Sequence, residues 1–311
     1  TMATVGLPEM KRYKYAPELS SGSVASGGGL GMLMPPSVVL IVYGILTEQS
    51  IGALFVAGII PAIFITVLFA VAISVYCWKY PLQGPAGDKF TWGEKFRSLS
   101  KIGETLVVFL LVMGGLFTGI FTPTEAGGVG SAAVLLVALL RRQLSWKGFV
   151  KSINETLRTS CMVLLLIAGA TVFGHFLAIS RIPFNVASWV AELNMPAFAI
   201  VLMIMLVYLI GGCFIDALAL IMLTIPIFYP IILNLGYDPI WFGIIIVLVT
   251  QMGVITPPVG INVYVVAGIA KDIRLETIFK GVLPFLIALI FGTIILIAVP
   301  QITLWLPRLM Y

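Results

Sequence analysis

The polar positions of this chain fall in short bursts between long apolar stretches, and the spacing of those bursts predicts the elements. Apolar runs at 51–78, 104–121 and 157–178 reach the length of about 20 residues that a helix needs to cross a hydrocarbon layer ~30 Å thick. None alternates with period two, so helices are the way these runs satisfy their backbone polar groups in lipid. A first segment at 1–15 ends in the basic cluster Lys11, Arg12, Lys14. A hydrophobic segment interrupted by Gly and Pro follows at 19–46, then a plain span at 54–78. Residues 79–101 are polar, with an amphipathic stretch at 90–99. Spans at 104–121 and 125–141 flank the tight turn Phe121-Thr122-Pro123-Thr124, and a second polar stretch leads into the span at 157–178. An amphipathic segment at 183–194 precedes apolar arms at 197–211 and 217–234, a second interrupted segment at 239–269 and a final span at 281–306.

Composition makes lipid the covering solvent. Of 311 residues, 60% are hydrophobic and 10% charged, and the mean hydropathy is +1.12. An ordinary soluble domain carries about a quarter charged residues. The net charge of +5 would suit nucleic acid if it formed a stripe, but it is clustered in loops. With 197–234 taken as a hairpin that enters and leaves on one face, the loops at 11–14, 79–101, 141–158 and 271–280 share one side. They hold 16 of the 18 basic residues, leaving Arg181 and Arg308 opposite. The positive-inside rule makes the basic side cytoplasmic, predicting a multi-pass inner-membrane protein with a periplasmic carboxyl terminus. Membrane lipid is thus an expected partner and nucleic acid is not. Cys77, Cys161 and Cys213 lie in or beside apolar runs and are predicted to be packing residues. One histidine and sparse acids assemble no HExxH, Ser/His/Asp set or metal cluster, so no enzyme is indicated.

The chain also repeats itself. At an offset of 222 residues Pro8 meets Pro230, Tyr15 meets Tyr237, Pro17 meets Pro239, Gly31 meets Gly253 and Pro35-Pro36 meets Pro257-Pro258. After one residue of slip, Gly58 meets Gly281 and Pro61 meets Pro284. Matched Gly and Pro imply matched backbone shape. The hairpin reading leaves five crossings between the interrupted segments, so the second copy is expected upside down, an organisation found in many secondary transporters. The predicted layout is the end of a first inverted repeat at 1–61 (half a hairpin and a broken helix), scaffold spans and amphipathic arms at 62–196, and a hairpin, second broken helix and last span at 197–311. Residues 1–15 match only the second arm of the later hairpin, which predicts an amino-terminally truncated chain.

Candidate chemistry sits at the discontinuities. Gly27, Gly28, Gly29 and Gly31 with Pro35, Pro36 and Ser37 cannot carry a helix through lipid, and the later copy breaks at Gly253, Thr256, Pro257, Pro258 and Asn262. Interrupted helices free carbonyls for Na⁺ at one end and amides for a carboxylate at the other. Thr256 and Asn262 add oxygens suited to a hard cation. Gly212 and Asp216 mark the hairpin tip. Asp216, the one acid placed at membrane depth, serves as an ion ligand, a proton carrier or a helix cap. Either break could instead be a packed kink. Thr122-Pro123-Thr124-Glu125 has capping-box spacing, His175 is expected to be packed and hydrogen-bonded, and the glycine run at 27–31 lacks the Lys-Ser/Thr ending of a nucleotide loop.

These motifs together resemble the large membrane subunit of TRAP transporters, the tripartite ATP-independent periplasmic family. The resemblance rests on G-M-L-M-P-P-S, Y-G and T-E-Q-S-I-G within 22–58, T-P-T-E-A at 122–126, G-G-C-F-I-D at 211–216, L-G-Y-D-P-I-W-F-G at 235–243 and G-V-I-T-P-P-V-G-I-N at 253–262. It implies an all-α, elevator-type, Na⁺-driven importer of organic acids such as C4-dicarboxylates or sialic acids. It also implies a small membrane subunit and a periplasmic substrate-binding protein as partners, with no cofactor beyond Na⁺ as coupling ion. By motif match it places Na⁺ sites at 27–37, at Gly212 to Asp216, and at Thr256 to Asn262. Two rival readings are a stand-alone divalent-anion/Na⁺ symporter and a non-transporting structural subunit of a membrane complex.

Overall fold

Residues that cap a helix, or cannot continue one, set the boundaries in the computed structural model, which describes residues 2–85, 91–94, 102–192 and 195–310. Helix α1 (Met2–Arg12) is followed by α2 (Pro17–Gly29), where Pro17 occupies the first turn and forfeits no helical hydrogen bond. A 3-10 turn at Leu30–Met32 ends in Pro35-Pro36, and α3 (Val38–Thr47) restarts under Ser37, whose Oγ accepts from Leu40 N at 3.4 Å. Ser50 Oγ likewise accepts from Ala53 N at 3.2 Å to open α4 (Ile51–Lys79). Then come α5 (Gly103–Phe117), α6 (Pro123–Leu140), α7 (Trp146–Ser180), α8 (Ile182–Glu192), α9 (Ala197–Gly212), α10 (Ala217–Asn234), α11 (Pro239–Gly253), α12 (Ile261–Ile269), α13 (Leu275–Ala298) and α14 (Gln301–Met310). Among the described residues there is no strand, and α4, α6, α7, α10 and α13 are long and apolar enough to cross a membrane. The fold is that of an all-α polytopic membrane protein.

The repeat is visible in the element boundaries. Displaced by 222 residues, α2 starts where α11 does, at Pro17 and Pro239, and α3 falls on α12. With the extra residue of slip, α4 falls on α13, each with its proline inside the helix. Both Pro-Pro bonds, 35–36 and 257–258, are cis. Gly58 and Gly281 both sit at close approaches: a Cβ on Gly58 would lie 2.7 Å from the Leu33 carbonyl oxygen, and one on Gly281 would lie 2.0 Å from that of Glu18.

The chain forms two compact units. The larger comprises 1–86 and 170–311. Its centre is α11, buried at every residue from Trp241 to Gly253 and packed against α9, α13, α4 and α10. Tyr43 is buried on α3; its hydroxyl donates to the Pro239 carbonyl at 2.5 Å, and Gly243 leaves room for its ring. The Trp241 indole N–H donates to the Leu296 carbonyl at 3.1 Å, joining α11 to α13. The smaller unit, 87–169, pairs α5 with α6. There Gly115 makes room for the Phe121 ring, and Arg141 grips Glu104 with Nε 2.8 Å and Nη2 2.9 Å from its carboxylate oxygens.

Several boundaries differ from the sequence expectation. The final span is two helices, α13 and α14, because Pro300 has no N–H to donate and drives Val299 out of the helical region, to φ −127° and ψ 76°. Its start also moves back to Leu275, since the charged turn at 271–280 contains helix formers and is absorbed. The second polar stretch is helical as well: α7 begins at Trp146, and Lys151 and Glu155 face each other one turn apart at 3.8 Å. His175 is exposed rather than packed. Cys213 is buried and Cys77 half-buried, whereas Cys161 is exposed, so the packing role fails for Cys161. Of the amphipathic stretch at 90–99, only 91–94 lie among the described residues; 193 and 194 of the segment at 183–194 also lie outside them.

Candidate ion and substrate site

Three discontinuities meet in the larger unit. The hairpin tip abuts the second break: a Cβ on Gly253 would lie 2.6 Å from Gly212 Cα, so the two glycines let the end of α9 touch the end of α11. Gly260, in the left-handed region at φ +61°, donates its N–H to the Cys213 carbonyl at 3.4 Å, a second tie between tip and break. The second break in turn reaches the first copy. Asn262 Nδ2 donates to the Ala25 carbonyl in α2 at 3.3 Å, while Asn262 N donates to the Val254 carbonyl at 3.0 Å.

The side chains predicted from the sequence fare unequally. Thr256 Oγ1 donates to the Met252 carbonyl at 2.6 Å and keeps its lone pairs for another partner. Ser37 caps α3, and its hydroxyl donates to the Met32 carbonyl. Asp216 is exposed and caps α10, accepting from Leu218 N at 3.0 Å. Glu125 completes its capping box, accepting from Thr122 N at 2.9 Å while Thr122 Oγ1 accepts from Glu125 N at 3.3 Å. Gly28 and Gly31 face open space, Gly27 approaches the Met2 side chain, and Gly29 is buried. Pro35 is buried, while Pro36, Pro257 and Pro258 are exposed.

Sequence reasoning missed two residues at this meeting point. Gln251 and Ser26 are both 0% exposed, and neither Gln251 Nε2, Gln251 Oε1 nor Ser26 Oγ has a hydrogen-bond partner. The Gln251 side chain fills the space beside Gly29, where a Cβ would meet its Cγ at 2.7 Å. An available signal was an amide in the run I-I-I-V-L-V-T-Q-M-G, whose one other polar side chain is Thr250, at the position that the repeat pairs with Gly29.

Broken helices tied to a hairpin tip inside a polytopic helical bundle are the architecture of many secondary transporters. The chain belongs to the family described as "Tripartite ATP-independent periplasmic transporter, DctM component", whose model matches residues 1–302. It is 35% identical over 312 residues to the C4-dicarboxylate TRAP transporter large permease protein DctM of Pseudomonas aeruginosa, covering 99% of this chain and 72% of that protein. It is also 35% identical over 304 residues to the sialic acid TRAP transporter large permease protein SiaM of Vibrio cholerae, covering 97% and 70%. Identity to the isethionate TRAP transporter permease protein DctMQ of Oleidesulfovibrio alaskensis is again 35%, over 312 residues, with 98% of this chain and 48% of that protein covered. The chain is therefore a TRAP large permease, a transporter rather than an enzyme, and a multi-pass inner-membrane protein.

Proposed function

We propose that this permease imports an organic acid by Na⁺ symport, with the substrate delivered by a periplasmic binding protein and a small TRAP subunit beside it in the membrane. The observation that carries the reading is the meeting of the hairpin tip with the second break through Gly212–Gly253, and of that break with α2 through Asn262–Ala25. Such a place offers half-helix ends to ions and to a carboxylate without burying a formal charge. Na⁺ is assigned to the breaks, with Thr256 and Asn262 as side-chain ligands, and Asp216 to the tip, where it orders the start of α10. The substrate class follows the relatives, which are named for C4-dicarboxylates, sialic acid and isethionate. The bundle holding the site is proposed to move against a scaffold formed by the remaining spans and amphipathic arms, with the carboxyl terminus periplasmic.

The test is uptake into proteoliposomes holding the permease, its small subunit and the binding protein, with a panel of labelled organic acids and with or without an inward Na⁺ gradient. Uptake that requires both Na⁺ and the binding protein, and falls in Asn262→Ala, supports the proposal and names the substrate. Uptake indifferent to Na⁺ removes the coupling, and uptake without the binding protein removes the delivery step.

A further inference from the structure

Helix α7 is longer than a bilayer core is thick, and its surplus is chemically organised. The helix has 35 residues and rises about 52 Å. Residues 159–180 contain no Asp, Glu, Lys or Arg and by themselves cover a hydrocarbon layer ~30 Å thick, which leaves 146–158 over. In that surplus Trp146, Val150, Ile153 and Leu157 recur at spacings of four, three and four. Lys147, Lys151, Asn154 and Arg158 repeat the same spacings one position later. On a helix each series forms one stripe, so an apolar stripe and a cationic stripe run side by side. Every one of these side chains is exposed.

The cationic stripe, with Trp146, Val150 and Glu155, borders a groove of about 560 Å³. Glu155 answers one of its charges, standing 3.8 Å from Lys151. Among the described residues Lys147 and Arg158 form no ion pair. Two unpaired cations thus face a groove with an apolar edge, which fits a ligand that has an anionic head and an apolar tail. A free anion would use the cations and leave the apolar stripe in water. A protein partner would need acidic and apolar stripes in matching register, whereas a bilayer offers phosphates beside acyl chains all around a helix already anchored in it. The length fits as well: tilted by about 40°, the upper end for membrane helices, α7 rises about 40 Å, within the ~40–45 Å of a bilayer with its headgroups. Leaning on its apolar stripe, the surplus lies along the boundary of acyl chains and headgroups, where Trp is enriched and where anionic lipid attracts Lys and Arg.

We propose that residues 146–158 of α7 form a docking site for anionic phospholipid of the leaflet on the basic side of the chain. Lys147 and Arg158 meet the phosphates, and the acyl chains cover Trp146, Val150, Ile153 and Leu157. Lipid held there fixes the lean of α7 in the bilayer. The inference is independent of the coupling ion and of the substrate.

The experiment uses the purified transporter with its small subunit in mild detergent, titrated with phosphatidylglycerol, with phosphatidylcholine or with inorganic phosphate while melting is followed. Phosphatidylglycerol should stabilise the protein far more than the other two. Lys147→Gln and Arg158→Gln should each raise the apparent Kd for phosphatidylglycerol about fivefold, the effect of one basic residue at an anionic surface, and the double variant should raise it further. Lys147→Arg with Arg158→Lys keeps both charges and should bind as the wild type does. Trp146→Ser with Ile153→Ser should weaken binding through the apolar stripe, and Arg308→Gln, on the side with few basic residues, should change nothing. All the substituted positions on α7 are exposed, and melting without added lipid checks that each variant is folded. Equal stabilisation by phosphatidylcholine, or by inorganic phosphate, overturns the proposal, as does a folded double variant with an unchanged Kd. A double variant that sheds the small subunit while keeping its Kd for phosphatidylglycerol also overturns it and makes this face a protein contact.

Discussion

The crossing of α2 and α13 allows a substitution of one methyl group to be priced from geometry. In Gly281→Ala the new Cβ would sit 2.0 Å from the Glu18 carbonyl oxygen and 3.2 Å from Gly22 Cα; on the facing helix, Gly22→Ala would put its Cβ 2.1 Å from the Gly281 carbonyl oxygen. Ordinary contact begins near 3.4 Å. Both obstacles are backbone atoms that no rotamer change can move, so the helices must part by about 1.4 Å, enough to forfeit half or more of the dispersion energy along the seam. Overpacking costs about 1–3 kcal/mol, and this case belongs at the upper end. The two substitutions should be strongly non-additive, because once one has parted the helices the other finds space. Melting of the purified protein in detergent, followed by fluorescence, should show a drop on the order of 5 °C for either single variant. The double variant should melt well above the value expected from adding the two losses. Gly114→Ala, with nothing within 4 Å of its Cβ on α5, serves as control and should be neutral or stabilising by about 0.5–1 kcal/mol. A Gly281→Ala protein that melts within a degree of wild type would refute the close approach.

Two further predictions follow from the caps and the surface charges. Asp216→Ala should lower stability by about 1 kcal/mol through loss of the α10 cap, and Asp216→Asn should restore it because Asn caps as well as Asp does; loss of Na⁺-driven uptake in the Asn variant at full stability would show that the charge itself is used. On the surface, the Lys11 ammonium donates to the Asp272 carboxylate and, with a bond from the Asp272 backbone, holds that group below the ordinary carboxylate range. A carboxyl group whose pKa is lowered by folding stabilises above its unfolded value, about 3.9, and loses that contribution as pH falls through the folded value. Asp272→Asn should therefore flatten the acid limb of the stability curve below about pH 4 and change little at pH 7, because the pair is exposed.

What the sequence revealed, and what it did not, divides along a physical line. Gly and Pro act through local backbone geometry, so Pro17 and Pro239, the two Pro-Pro pairs and Gly58 with Gly281 announced the breaks and the repeat before any contact was known. The Thr122–Glu125 box was legible for the same reason, since both its hydrogen bonds close within three residues. The split of the last span was equally local, yet Pro300 sits in an apolar run whose length alone suggested one crossing. Ser26 and Gln251 are a different matter. Each looks like an incidental polar residue on its own segment, and only tertiary structure shows that both are fully buried with no hydrogen-bond partner. The repeat supplies the missing step. A pair of copies related by symmetry must meet along a seam where equivalent positions face each other, and there the two sequences cannot both carry large side chains. Gly29 yields so that Gln251 can fill, whereas Gly22 and Gly281, which are not equivalent in the repeat, meet because neither has a side chain to hold the helices apart. Where two copies of a repeat carry a glycine in one and a polar residue in the other at a helix break, the polar residue is the one to test for a role in binding, because the glycine exists to make room for it.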